Sequence, residues 1–365
     1  MKANTRKMVF SSAFFALGWF GLSFSFPLLA VQYNFSYSLT GFLGFLVAYP
    51  FIVAAVVDLY LKEKILNIQI VLIPFIVSLM AVIFIFQSRN MIVILIAVAD
   101  LLEAFYWVAM EMLLGTGGEN LEAEKYSTAW GVPSAAMPII SGIIIQSFGF
   151  RILFLVAFLL LISGSMFRPK YTSSSTKGIG SGFRLKFIIP MIFSGLVAGF
   201  VSYVLVPIFR IRGESYVLIG ITITIFSISS AIGFIIMNFT GKRSIYALSA
   251  VSSFLLGLPL ITALTGNLLV IILALVGAGI GISIAFSKIL AYISERSSAR
   301  IGILTYEGFF ATGTAIGSFI LGSAFQIFGN LAIVITFTIP IIYAVYMIIE
   351  GMIKAIEIEP TNNSL

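Results

Sequence analysis

Neither cysteine nor histidine occurs among the 365 residues. Their absence excludes a disulfide scaffold, zinc or haem sites built on thiolate and imidazole, and every catalytic triad that needs a histidine base. Charge is scarce as well: Asp, Glu, Lys and Arg make up 10% of the chain, against about 25% in soluble domains. Apolar residues fill the space. They reach 60%, with a mean hydropathy of +1.13, which fits a chain that crosses a bilayer many times and no soluble globular domain. The formal charge of +7 would suit nucleic acid if the basic residues clustered. They lie between apolar segments instead, so they read as topology determinants, and no nucleic-acid partner is expected.

Twelve apolar segments are long enough to cross a bilayer. They are 8–31, 38–58, 65–86, 91–115, 126–146 and 151–167, then 187–209, 215–239, 244–264, 268–293, 301–325 and 331–349. The first follows Lys2, Arg6 and Lys7 and so imitates a signal peptide, but it runs for more than twenty residues. That is too long for a cleaved hydrophobic region, and it is expected to be retained. Between the sixth and seventh segments lies the one long polar stretch, with Ser173, Ser174, Ser175, Gly178 and Gly180, a flexible connection. The expected organisation is an N-terminal six-helix bundle over 1–167, a cytoplasmic linker over 168–186, a C-terminal six-helix bundle over 187–350 and a tail over 351–365. With the N-terminus inside, sixteen Lys and Arg fall on the cytoplasmic side and four (Arg89, Arg151, Arg210, Arg212) outside, while Lys288 stays within a span. The bias predicts a multi-pass protein of the plasma membrane with both termini cytoplasmic.

The fourth segment places Asp100, Glu103 and Glu111 in this apolar setting. At about 100° per residue, Trp107 and Glu111 fall within roughly 20° of Asp100, and Glu103 about 60° away, so the four share one helical face. Asp100 and Glu103 lie roughly 14 and 18 Å along the segment, near the middle of a hydrocarbon core about 30 Å thick. Such groups must face a bundle interior or a watery cavity and mark a functional site by default. Two carboxyls at i and i+3 are expected to take up and release protons as a coupled pair. Trp107 offers a surface for a cation. Lys288 and Glu307 lie at comparable depths in the tenth and eleventh segments, so an ion pair of Lys288 with Glu307 or with Glu111 is expected.

The two halves repeat. Adding 180 to a residue number carries Pro27 to Pro207, Lys62 to Lys242, Tyr126 to Tyr306, Gln146 to Gln326 and Phe148-Gly149 to Phe328-Gly329. Parallel six-span repeats are a known transporter architecture. Pro27 and Pro207 interrupt the backbone ladder where helices around a cavity need to bend.

After the second segment the chain reads Asp58-Leu59-Tyr60-Leu61-Lys62-Glu63-Lys64, and at the matching place Asn238-Phe239-Thr240-Gly241-Lys242-Arg243. Together these resemble the signature Gly-x-x-x-Asp-[Arg/Lys]-x-Gly-[Arg/Lys]-[Arg/Lys] of the major facilitator superfamily. The first copy has Ala54 and Leu61 in place of Gly; the second has Asn238 in place of Asp. The resemblance implies an all-α membrane protein of twelve helices in two pseudo-symmetric bundles. It implies a gating role for Asp58 with Lys62 and for Lys64, Asn238, Lys242 and Arg243. It also implies that spans 1, 4, 7 and 10 line a central cavity and that 3, 6, 9 and 12 face lipid. Pro138 with Ser141-Gly142 resembles half of the motif of proton-linked exporters in the family, although Pro133 and Met137 stand where that motif has Gly.

Amides are nearly absent from the middle of the spans, which disfavours sugars, and Lys288 is the only deep cation, which disfavours anions. Acids among aromatic walls favour an amphipathic or cationic solute. The expectation is a proton-coupled secondary transporter exporting such compounds, acting as a monomer in the lipid bilayer without a cofactor. The alternatives are a proton-coupled importer of a metabolite, or a membrane receptor or enzyme. Short loops and the lack of a nucleophile, metal cluster or phosphate loop argue against an enzyme.

Overall fold

In the computed structural model, residues 3–86, 88–115, 120–167, 184–239, 244–289 and 299–358 are described, all in helices and short connections. Twelve helices follow one another. The first six are α1 (Ala3–Gln32), α2 (Tyr37–Tyr60), α3 (Glu63–Ile85), α4 (Arg89–Gly115), α5 (Asn120–Phe148) and α6 (Phe150–Ser165). The second six are α7 (Leu185–Ile211), α8 (Tyr216–Phe239), α9 (Ile245–Leu264), α10 (268–289), α11 (299–328) and α12 (Asn330–Ile358). Eleven are long and apolar enough to cross a membrane; α6, with 16 residues, is shorter. With twelve helices running alternately up and down, α1 begins and α12 finishes at the same end of the bundle, the near end; the far end lies opposite.

Packing follows the sequence repeat. In the first half α1 packs on α5 and α6, α2 on α4, and α3 on α4 and α6; in the second, α7 packs on α11, α8 on α10, and α9 on α10 and α12. Two hydrophobic cores form, one built mostly from the first half with Tyr203 of the second, the other mostly from the second half with Phe24, Leu28, Ile145 and Leu153 of the first. The repeat reaches the backbone at Gly149 and Gly329, where φ is +80° and +56°. Each is the single residue that turns one helix into the next, α5 into α6 and α11 into α12, and only glycine takes that conformation without strain.

The outer helices show where lipid belongs. Ile65, Ile68, Leu72, Phe75, Leu79 and Ile83 of α3 are all exposed. Their three- and four-residue spacing makes one stripe about 27 Å long, close to the thickness of a hydrocarbon core. An equivalent stripe on α12 runs from Leu331 through Ile335, Ile339 and Ile342 to Ile349. Both helices therefore turn an apolar face away from the bundle.

Three helices of the second half contain a π-helical turn, at Val201–Leu205 in α7, Ala285–Ile289 in α10 and Ile316–Ile320 in α11. In α7 the widened turn stands just before Pro207, where the ring would otherwise clash with the preceding turn. The matching Pro27 sits inside an α1 that stays regular. Within the second half, α7 and α11 touch backbone to backbone, since a Cβ at Gly313 or Gly317 would collide with the carbonyl oxygen of Ile192 or Leu196. The glycines 277, 279 and 281 of α10 likewise serve close packing.

The halves meet along α2 with α11 and α5 with α8, two contacts exchanged by the pseudo-twofold axis. Towards the far end these contacts are glycine-mediated. A Cβ at Gly41 would strike the Ser318 carbonyl oxygen, one at Gly142 would lie 2.5 Å from that of Tyr216, and one at Gly220 would strike that of Pro138. At the near end Lys186, where α7 begins, pairs with Glu350 of α12, and its ammonium lies 5.2 and 5.1 Å from the rings of Phe187 and Tyr246. The Tyr343 hydroxyl donates to the Lys186 carbonyl. This cluster anchors the entry to the second half. Glu350→Gln should lower the melting temperature in detergent by a few degrees, less so at high salt; an unchanged transition would show that the pair contributes nothing.

Candidate functional site

A cavity of about 290 Å³ lies between the halves. Its walls come from α1, α2, α4, α5, α7, α8 and α11, and aromatic residues dominate them: Trp19, Phe20, Phe24, Phe51, Phe226 and Phe310. Hydroxyls stand between them, from Ser23, Ser134, Ser202, Tyr203, Ser227 and Thr314. Glu103 is the one charged residue among the lining. The π-turn in α7 lets three consecutive residues, Val201, Ser202 and Tyr203, reach the wall together. Such a space takes a small solute with an apolar body and suits a positive group at Glu103.

The acids of α4 separate into two environments. Glu103 reaches the cavity and is 5% exposed, whereas Asp100 is fully buried behind it, its two carboxyl oxygens without a hydrogen-bond partner among the described residues. Tyr203, from the opposite half, lies within electrostatic reach of both. Trp107 does not line the cavity. Its indole donates to Glu103 one turn earlier, and its ring is packed edge-on against Phe15 and Tyr106 at 5.3 and 5.0 Å. Behind them the Tyr106 hydroxyl pairs with Ser11 of α1 at 3.2 Å. The indole edge thus meets Glu103, and its ring is packed among aromatic neighbours.

Glu111 and Glu307 belong to different halves and lie within electrostatic reach of each other where α4 meets α11. The π-turn at Ala285–Ile289 carries Lys288, whose side chain lies outside the described residues, so the expected ion pair falls there too.

No protein-family model and no curated protein matches the sequence. Solved structures do match in shape. A POT family transporter in complex with 5-aminolevulinic acid superposes with a TM-score of 0.74 at 12% identity, over 94% of this chain and 95% of the other. The human organic anion transporter MFSD10 (TETRAN) gives 0.64 at 13% identity, over 95% and 100%. A variant of the nucleoside transporter NupG gives 0.62 at 12%, over 95% and 97%. The chain has the major facilitator fold.

Within this major facilitator fold α1, α4 and α7 line the cavity as expected, but α10 supplies no wall among the described residues; α2, α5, α8 and α11 do. Pro27 is part of the lining, whereas Pro207 lies just past it, buried at the end of the π-turn. In the loop that resembles the family signature, Asp58 is fully buried at the end of α2 and accepts a hydrogen bond of 3.1 Å from Gln69 of α3. Lys62 and Lys64 are exposed at the start of α3. Asn238 lies in the last turn of α8, while its side chain and all of Lys242 and Arg243 lie outside the described residues.

Reading the acids alone missed Tyr203, Ser134, Ser227 and Thr314. The repeat carried the signal, because the 180-residue offset takes Ser23 to Tyr203, Ser134 to Thr314 and Val47 to Ser227, and all six line the cavity. The pseudo-twofold axis runs through it.

Proposed function

We propose that the protein is a proton-coupled secondary transporter exporting small amphipathic or cationic organic compounds across the plasma membrane, its near end and both termini cytoplasmic. The observation that carries the reading is Glu103, a lone carboxylate in an aromatic wall between two halves of a transporter fold. A carboxylate so placed needs a positive partner, either a proton or the ammonium group of a solute. Only one can occupy it at a time, so exchange at Glu103 couples solute to proton. The site is offered to each side in turn as the halves rock about it. The three structural neighbours differ in what they are named for, so the solute is argued from the wall itself. Aromatic faces and a single acid, with hydroxyls between them, suit an aromatic monoamine below drug size.

Flux into proteoliposomes under an imposed pH gradient tests the reading, with aromatic monoamines, quaternary ammonium ions, organic anions and sugars as the panel. Amines should accumulate in the compartment that loses protons, and anions and sugars should not. Accumulation together with protons would make the protein an importer by symport, and flux of no class would count against transport. Tyr203→Phe removes the hydroxyl opposite Glu103 and should weaken amine binding about 2- to 10-fold, the range of one net hydrogen bond. An unchanged Kd across the panel would leave Tyr203 a packing residue only.

A further inference from the structure

We propose that the first half binds the anionic headgroup of a phospholipid at the far end, in a pocket between α1, α3 and α6 where Arg151 holds the phosphate. A cavity of about 350 Å³ lies there, at the lower end of the roughly 300–1,000 Å³ of small-ligand sites. Its floor is aromatic. Phe84 at the end of α3 and Phe154 of α6 are fully buried with ring centres 5.6 Å apart, and Phe150 adds a third ring 6.4 Å from Phe154. Its rim is polar, from Gln32, Tyr33 and Arg151. Among the described residues no acid lines it, and it shares no lining residue with the central cavity.

The far-end connections hold four arginines and one acid, Glu214. Arg89 lies 5.8 Å over the Phe35 ring, and Arg210 lies 4.1 Å over that of Tyr216 and donates to the Glu214 carbonyl. Arg151, exposed in the first turn of α6, has no ion pair, hydrogen bond or ring partner among the described residues. A guanidinium so placed, beside an amide and a phenol, presents the planar donor fork that a phosphate takes. The two halves supply an internal comparison. The 180-residue offset takes Phe150 to Asn330 and Arg151 to Leu331. There the Asn330 amide donates to the Ala263 carbonyl at 3.1 Å, tying the start of α12 to the end of α9, and Leu331 is exposed. The charge and the ring at these positions are thus peculiar to the first half. The flanks of the pocket belong to lipid. Ile83 and Phe86 beside Phe84, and Ile152 and Leu155 beside Arg151 and Phe154, are exposed and apolar, continuing the stripe that marks the hydrocarbon on α3. An arginine among aromatic residues where such a stripe ends stands at headgroup level. The rings below it suit glycerol and the upper acyl carbons, which a phosphate ester from water does not bring.

The test uses the full-length protein, delipidated in detergent and titrated with phosphatidylglycerol, with phosphatidylcholine, whose own cation neutralises its phosphate, and with glycerol 3-phosphate. Bound lipid is counted by native mass spectrometry. One phosphatidylglycerol per chain should bind more tightly than phosphatidylcholine, and Arg151→Gln should weaken it by about 10- to 100-fold, the range of one charge-assisted hydrogen bond. Arg151→Lys keeps the charge and should stay nearer the parent. Arg212→Gln removes a far-end charge outside the pocket and should bind as the parent does. Equal retention of the two lipids overturns the proposal, as do equal losses from Arg212→Gln and Arg151→Gln, an Arg151→Gln variant that binds like the parent, or a lysine variant no better than the glutamine one. Glycerol 3-phosphate that displaces the lipid at equal concentration would overturn the lipid as occupant and put a soluble phosphate ester in its place.

Discussion

Glu103→Gln is expected to reduce solute-driven proton movement to the level of empty liposomes and to weaken binding of an aromatic amine by on the order of 10- to 100-fold. A charge-assisted hydrogen bond contributes about 1.5–3 kcal/mol, and each 1.4 kcal/mol is tenfold in affinity. Glutamine keeps the size of the side chain and can still accept from Trp107, so the helix and its packing should survive. What is lost is the site at which ammonium and proton exclude one another. Asp100→Asn serves as the control. Asp100 is as deep as Glu103 but does not line the cavity, so its neutralisation should change binding less than about threefold, roughly 0.7 kcal/mol. Equal losses from both substitutions would mean that the cavity wall is not what selects the solute.

The second large effect is expected at the far end. Valine at both Gly41 and Gly142 places a Cβ against the carbonyl oxygens of Ser318 and Tyr216, across the seam between the halves. Overpacking costs about 1–3 kcal/mol per site, but here the cost falls only on the state in which the far end is shut. Two sites together should shift the ratio of states roughly 30-fold or more towards far-end opening, and transport should stall. Ser23→Cys in the cavity reports the shift, because an impermeant maleimide added on the far side should label the double-valine variant and spare the parent. Gly313→Val is the contrast, since it drives α7 and α11 apart within one half and should cost expression and folding rather than access. Unaltered labelling together with intact flux would show that the glycine contacts are not a gate.

Much of the architecture was legible in the residues because its causes are repetitive. Apolar stretches of bilayer length mark the helices, and the 180-residue offset of Pro27 and Pro207, or of the two Phe-Gly turns, marks the two halves. The site was legible only in part. A helical wheel placed Asp100, Glu103, Trp107 and Glu111 on one face, yet of these only Glu103 lines the cavity, because what each side chain meets is decided by the helices packed on α4, such as α1 with Phe15, and not by the periodicity of α4 alone. Trp107 was read as a surface for a cation; its indole donates to Glu103 and its ring packs against Phe15 and Tyr106. The ion pair expected of Lys288 with Glu307 or with Glu111 falls on a side chain outside the described residues. The π-turn of α7 that turns Tyr203 into the cavity likewise has no local sequence signature beyond the proline that follows it.

Proton release on binding tests the central claim most directly. Calorimetric titration of the detergent-solubilised protein with the aromatic amine selected by the flux screen, in two buffers of different ionisation enthalpy, counts the protons displaced. About one proton per bound amine is expected from the parent chain and none from Glu103→Gln, the stoichiometry of a single exchanging carboxyl. Binding heats that are the same in both buffers for the parent chain would contradict the account, since the solute would then enter without displacing a proton from Glu103.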